Sequence, residues 1–270
     1  MAAPDPAKLS LNGATVRTQW DLAQIIEGCA RHGIGGISPW RDQVAALGLN
    51  RTKKLIQENG LTVTGLCRGG FFTAKDWLDD NRRAIDEAHE LSAQCLVLVV
   101  GSLPAGSKDI AGAREIVRDA LFRILPEARK AGVPLAIEPL HPMQAADRAC
   151  VNTLEQALDL CDVLGEGVGV AVDVYHVWWD PKLRSQIARA GKKRILGYHI
   201  CDWLVPTRDL LNDRGMMGDG VIDLPLIRSW VEATGYAGLH EAEIFSELDW
   251  WKRDPDEVLR TCKERFATCT

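Results

Sequence analysis

The sequence contains no Cys-x-x-Cys pair, no apolar run longer than Cys95–Val100, no excess of basic charge and no block of low complexity. Each absence removes a class of protein. The eight cysteines stand apart at 29, 67, 95, 150, 161, 201, 262 and 269. They read as reduced thiols of a cytoplasmic protein, because a chain of 270 residues buries enough core to need no disulfide staples. Cys95–Val100 is far too short to cross a bilayer, so no membrane is expected as a partner. Met1–Ser10 lacks the basic patch and apolar stretch of a signal peptide. A formal charge of −5 argues against a nucleic-acid partner, which needs clustered Lys and Arg. The glycines of Cys67-Arg-Gly-Gly-Phe-Phe72 make no phosphate cradle, since no Lys-Ser or Lys-Thr follows with P-loop spacing.

What is present is an alternation of short apolar runs with longer amphipathic ones, undivided by any linker over residues 1–270. Candidate strands are Leu11–Val16, Gly35–Ser38, Val63–Cys67, Cys95–Val100, Pro134–Glu138, Val168–Asp173, Ile195–Ile200 and His240–Ile244. Cys95–Val100 and Val168–Val172 show no polar alternation, as expected of parallel strands covered on both faces. Candidate helices are Gln19–Arg31, Trp40–Glu58, Lys75–Leu91, Ile110–Lys130, Thr153–Val163, Pro181–Ala190, Leu224–Thr234 and Pro255–Phe266. Thr153 suits a cap, Pro181 and Pro255 suit first-turn positions, and Gly60, Gly132 and Gly235 follow helix ends. Strands and helices in strict order predict one α/β domain, a (β/α)8 TIM barrel. A doubly wound open sheet is the runner-up.

In such a barrel, chemistry gathers where strands end. Strand five ends at Glu138, strand six at Asp173, strand seven at His199 and strand eight at Glu243. Each follows an apolar strand, where an unpaired charge is costly to bury. Three carboxylates on one cavity would also repel one another unless a cation intervened. One divalent metal ion answers both problems. A set of mostly oxygen with one nitrogen suits Mn²⁺ first, with Mg²⁺, Co²⁺ or Zn²⁺ also accommodated. The opposing reading makes each residue a cap, a salt-bridge partner or a structural histidine, which four successive strand ends make hard to sustain.

Six segments carry a more specific likeness: Ile137-Glu-Pro-Leu-His-Pro142, Val151-Asn-Thr-Leu-Glu-Gln156, Val172-Asp-Val-Tyr-His176, His199-Ile-Cys-Asp202, Gly218-Asp-Gly-Val-Ile-Asp223 and Glu243-Ile-Phe245. In order and spacing they resemble the xylose isomerase-like barrel superfamily of sugar isomerases and epimerases, most closely its inosose isomerase and ketose 3-epimerase branches. The resemblance implies a single-metal site in which Glu138 and Glu243 are both ligands and proton carriers. A metal chelated by a carbonyl and its adjacent hydroxyl acidifies the carbon-bound proton and stabilises the enediolate. Two glutamates on two sides can then move that proton. It also implies a small-molecule sugar or keto-inositol as partner, and pairing through rim loops into a homodimer or tetramer.

Around this centre His176 and His141 are expected to meet substrate hydroxyls, with Arg68 reaching a substrate oxygen. Asp202 would either orient His199 through its free ring nitrogen or cap a turn. The epimerases carry a substrate-contacting arginine soon after the metal histidine; Arg208 or Arg214, in the long segment 203–220, would replace it. Trp178, Trp179 and Trp203 would either stack on sugar or pack against protein. The leading expectation is a metal-dependent isomerase or epimerase of a ketose, inosose or oxidised sugar. A lyase or dehydratase of the same fold, acting on an oxidised sugar or glycoside, is the alternative. A multi-zinc DNA-repair enzyme of this fold is disfavoured by six histidines and the acidic charge. No phosphate site is visible after strands seven and eight, which favours a non-phosphorylated substrate.

Overall fold

The apolar runs become parallel strands and the amphipathic stretches between them become helices. In the computed structural model, which describes residues 3–270, the strands are β1 (Leu9–Asn12), β2 (Gly36–Ser38), β3 (Thr62–Val63), β4 (Leu66–Gly70), β5 (Leu96–Val99), β6 (Leu135–Ile137), β7 (Val168–Asp173), β8 (Ile195–Ile200), β9 (Asp202–Trp203), β10 (Arg214–Gly215) and β11 (His240–Ala242). The helices are α1 (Leu22–Arg31), α2 (Arg41–Leu47), α3 (Leu49–Glu58), α4 (Trp77–Glu90), α5 (Ile110–Ala131), α6 (Leu154–Leu164), α7 (Val174–Val177), α8 (Leu183–Arg194), α9 (Leu224–Ala233) and α10 (Pro255–Cys269). Aspartates begin several of them. Asp21 and Gln24 form a capping box on α1, and Asp109, Asp223 and Asp254 each accept a first-turn amide of α5, α9 and α10.

Hydrogen bonds order the main sheet β3-β2-β1-β11-β8-β7-β6-β5-β4. β3 and β4 are halves of one barrel strand parted at Thr64-Gly65. The first pairs with β2 and the second with β5. Cys67 N–H donates to the Pro39 carbonyl at 3.1 Å, and Trp40 bridges Cys67 in parallel, which closes the circuit. The fold is therefore a (β/α)8 barrel, and the open sheet is set aside. Most buried apolar residues lie between strands and helices, while Cys67, Cys95, Val97, Ala136 and Ala171 form a smaller cluster. Ala136 and Ala171 stand two residues before Glu138 and Asp173 and share their face, so this cluster fills the barrel beneath the mouth.

Several bounds differ from expectation for physical reasons. The first strand is Leu9–Asn12, not Leu11–Val16, because the Asn12 side chain accepts the Ala14 amide and turns the chain into a 3₁₀ segment, Gly13–Val16. Trp40–Glu58 is two helices, parted at Gly48, whose φ of +91° takes it out of the helical region. The helix expected at Pro181 begins at Leu183, since the Asp180 carboxylate takes the Lys182 amide in a turn. All eight cysteines are unpaired and seven are buried. Among the described residues no helix is long and apolar enough to cross a membrane.

Candidate metal centre

Parallel register fixes four side chains at the carboxyl mouth. Asp173 ends β7 opposite His199 on β8, and His199 is opposite Glu241 on β11. Glu243 follows β11 two residues beyond Glu241, and Glu138 follows β6, its amide bonded to the Leu98 carbonyl. One potential ligand atom from each of Glu138, Asp173, His199 and Glu243 lies within 4.8 Å of all the others. All four are buried, between 1% and 6% exposed. Gly197 makes room for the ring, because a Cβ there would stand 3.1 Å from His199 Nε2.

His199 Nδ1 is 3.1 Å from Glu138 Oε1 and 3.4 Å from Glu243 Oε2. Yet Nδ1 and Glu138 Oε1 are both buried and form no directed hydrogen bond with each other or with anything else. Donors grouped this closely, aimed at shared space and not at one another, fit a cation between them. Arg214 supplies part of the counter-charge. Buried at 3% exposure, its Nη1 lies 2.9 Å from Asp173 Oδ2 and 3.2 Å from Glu243 Oε2, and its plane rests on the Tyr175 and Phe245 rings. It leaves Glu138 unanswered.

The titrations follow that division. Burial pushes the Glu138 carboxyl up to about 7, with Glu243 adding to the rise and His199 opposing it. Burial also disfavours charge on Asp173, but Arg214, His176 and His199 outweigh it and bring that carboxyl down to about 2. Burial opposes a charged His199 too, yet Glu241, Glu138 and Glu243 lift its pKa well above that of free imidazole. A divalent ion would displace that proton, since only neutral imidazole is a ligand.

The other nitrogen of His199, Nε2, faces Glu241 Oε1 at 3.7 Å. Glu241 is held from below by Asn12 Nδ2 at 2.7 Å and Thr64 Oγ1 at 2.8 Å, and Asn12 Oδ1 accepts Trp40 Nε1 at 2.7 Å. The carboxylate facing Nε2 is thus Glu241, and not Asp202. Its sequence signal was its place on the same strand face as Glu243; Asn12 and Trp40 gave none. Asp202 instead accepts the amides of Trp203, Gly218 and Ile222, and so pins the 203–220 segment. That segment folds back through the antiparallel pair β9–β10, which delivers Arg214 inward. Arg208 turns outward, half-exposed, and pairs with Asp213.

His176 is buried beside Asp173, with Nε2 3.6 Å from its Oδ2. Burial lowers its pKa to about 3, and its Nδ1 accepts the His141 amide at 3.1 Å. The neutral ring therefore carries its proton on Nε2, 3.3 Å from Arg214 Nη2, so that two donors face the mouth together. His141 contributes that backbone amide while its ring stacks on Trp203 at 4.8 Å. Trp203 also packs on Tyr175 and Trp178, and Trp179 donates to the His176 carbonyl, so these tryptophans buttress the rim. Arg68, from β4, lines the mouth together with Arg148 and Trp40, neither of which the sequence marked.

The model of the xylose isomerase-like TIM barrel family matches residues 26–262. Inosose isomerase of Bacillus licheniformis is 26% identical, over 95% of this chain and 95% of that one. A solved protein of Sinorhizobium meliloti 1021 is 62% identical with a TM-score of 0.96, covering 98% of this chain and 99% of its own. The IolI protein, solved with a bound zinc atom, superposes with a TM-score of 0.82 over 96% of both chains; at 23% identity it speaks for the fold alone.

Proposed function

The chain belongs to the xylose isomerase-like TIM barrel family, and from that premise we propose that it is a divalent-metal-dependent isomerase or epimerase of a small keto-polyol. One observation carries the proposal: the buried Glu138–Asp173–His199–Glu243 set, within 4.8 Å, with Glu138 Oε1 and His199 Nδ1 unanswered. The 26% identity to an inosose isomerase along nearly the whole chain supports the substrate class. The IolI protein, which shares this fold, was solved with a bound zinc atom, and the donor set here accepts Mn²⁺, Mg²⁺, Co²⁺ or Zn²⁺.

When bound, the ion would supply positive charge that acidifies the proton next to a carbonyl and offsets the resulting enediolate. The residues do the remainder. Glu138, just past the end of β6, is a carboxylate placed to take up a proton and return it. Glu243, on β11 three barrel strands from β6, approaches from another side and serves as the second carrier. His176 Nε2–H and Arg214 Nη2 grip a substrate oxygen between them. The apolar ring faces of Phe245 and Trp40 close the wall.

The test is incubation of the metal-loaded protein with ketoses and inososes in D₂O. Solvent deuterium at the reacting carbon, without loss of a leaving group, is the expected result. Release of a leaving group would replace isomerisation with a lyase. Glu243→Gln is expected to abolish turnover; full activity in that variant would remove Glu243 as proton carrier.

A further inference from the structure

The mouth continues into an outer cleft of about 390 Å³, and Trp40, Cys67 and Arg68 line both. The acids of that cleft are already answered. Asp42 pairs with Arg17 at 2.5 Å, and Asp80 with Arg41 at 2.9 Å. Arg68 and Arg148 are not. Neither forms an ion pair among the described residues, and Arg68 Nε, Arg68 Nη1 and Arg148 Nε are buried with no acceptor. Gln144 also lines the mouth.

Arg68 is held in place without an acid. Its guanidinium centre lies 4.1 Å from the Phe71 ring centroid and 5.7 Å from that of Trp40. Burial, and then the positive charge of Arg148, lower its pKa, so the two cations feel each other across the opening. Both side chains are half-buried, and inner N–H groups that lack an acceptor are costly where water does not reach them. The charges point the same way. Four buried carboxylates stand at and beneath the mouth, Glu138, Asp173, Glu241 and Glu243; a divalent ion together with Arg214 offsets three of those charges, and Arg68 and Arg148 then carry the balance to a net positive charge.

We infer that Arg68 and Arg148 form an anion subsite beside the metal centre, so that the keto-polyol taken here bears a carboxylate or a phosphate on the carbon chain away from its carbonyl. The inference rests on the proposed reading of the mouth as a keto-polyol site. It places the anion between the third barrel strand, which carries Arg68, and the segment after the fifth, which carries Arg148, not after the seventh and eighth, where the sequence showed no phosphate site. Of the two anions, only the phosphate departs from the expectation of a non-phosphorylated substrate. Planar guanidinium donors suit either oxyanion.

The experiment compares three polyol probes on the Mn²⁺-loaded protein by tryptophan fluorescence: D-glucitol, D-gluconate and D-glucitol 6-phosphate. Both anions should bind at least about tenfold more tightly than D-glucitol. The tighter of the two distinguishes a sugar acid from a sugar phosphate. Arg68→Gln and Arg148→Gln should each cut the preference for the anions over D-glucitol about tenfold with metal content unchanged, and Arg68→Lys should recover part of that preference. Equal affinities for the three probes would overturn the inference, as would an anion preference that survives both glutamine variants. The readout needs no turnover. An anion preference in a protein inactive on every keto-polyol would remove the isomerase reading alone; turnover without that preference would remove the subsite alone.

Discussion

Glu138, Asp173 and His199 were legible because each interrupts an apolar run at the point where a parallel strand must end. An ionisable group there is paired, liganded or absent. Glu241 and Glu243 share a face of one strand, so composition could not rank them; the register places Glu241 opposite His199, two residues deeper than Glu243. Its carboxylate has partners in Asn12 and Thr64 and needs no ion. Its work is to hold the His199 ring. Glu241→Gln should therefore weaken metal binding by roughly 10–100-fold, though Glu241 touches no ion. Chelator competition at fixed pH measures this, and an unchanged affinity would assign Glu241 to packing alone. The pairing of Arg68 with Arg148 was not legible, because it joins loops about 80 positions apart in sequence and depends on barrel closure.

At the level of elements, periodicity located every barrel strand and missed what local side-chain bonds decide. Asn12 ends β1 early by capping the turn after it, and Gly48 splits a continuous amphipathic pattern that reads as one helix. The segment after β8 shows the same limit. It has no period, so nothing in the sequence says which of Arg208 and Arg214 turns inward. The choice falls to the two-residue pair β9–β10 and to the three amides gathered by Asp202. Asp202→Ala removes that clamp. The amides of Gly218 and Ile222 should then exchange with solvent at least about tenfold faster, corresponding to roughly 1–2 kcal/mol of local stability for lost charge-assisted bonds. Protection should hold at β7, which does not touch the clamp. Unchanged protection at Gly218 and Ile222 would mean that the segment is held by its apolar contacts, Met216 and Met217 among them.

Across the whole molecule, the barrel buries an acidic cluster that it can keep only with positive charge beside it. Arg214 provides one such charge from a loop, and a divalent ion is expected to provide the rest. Equilibrium metal titration of the metal-free protein, repeated over pH, tests this most directly. One Mn²⁺ or Zn²⁺ should bind per chain and raise thermal stability, by about 2.7 kcal/mol at a free concentration one hundred times Kd. Asp173→Asn and Glu243→Gln should each abolish that gain. Because Glu138 without the ion holds its proton up to about 7, and His199 higher still, binding must expel protons. Affinity should therefore fall at least about tenfold for each pH unit below about 7. A chain that takes up no stoichiometric ion, or whose affinity stays flat from pH 8 to about 5.5 and survives both substitutions, would contradict the four-ligand centre.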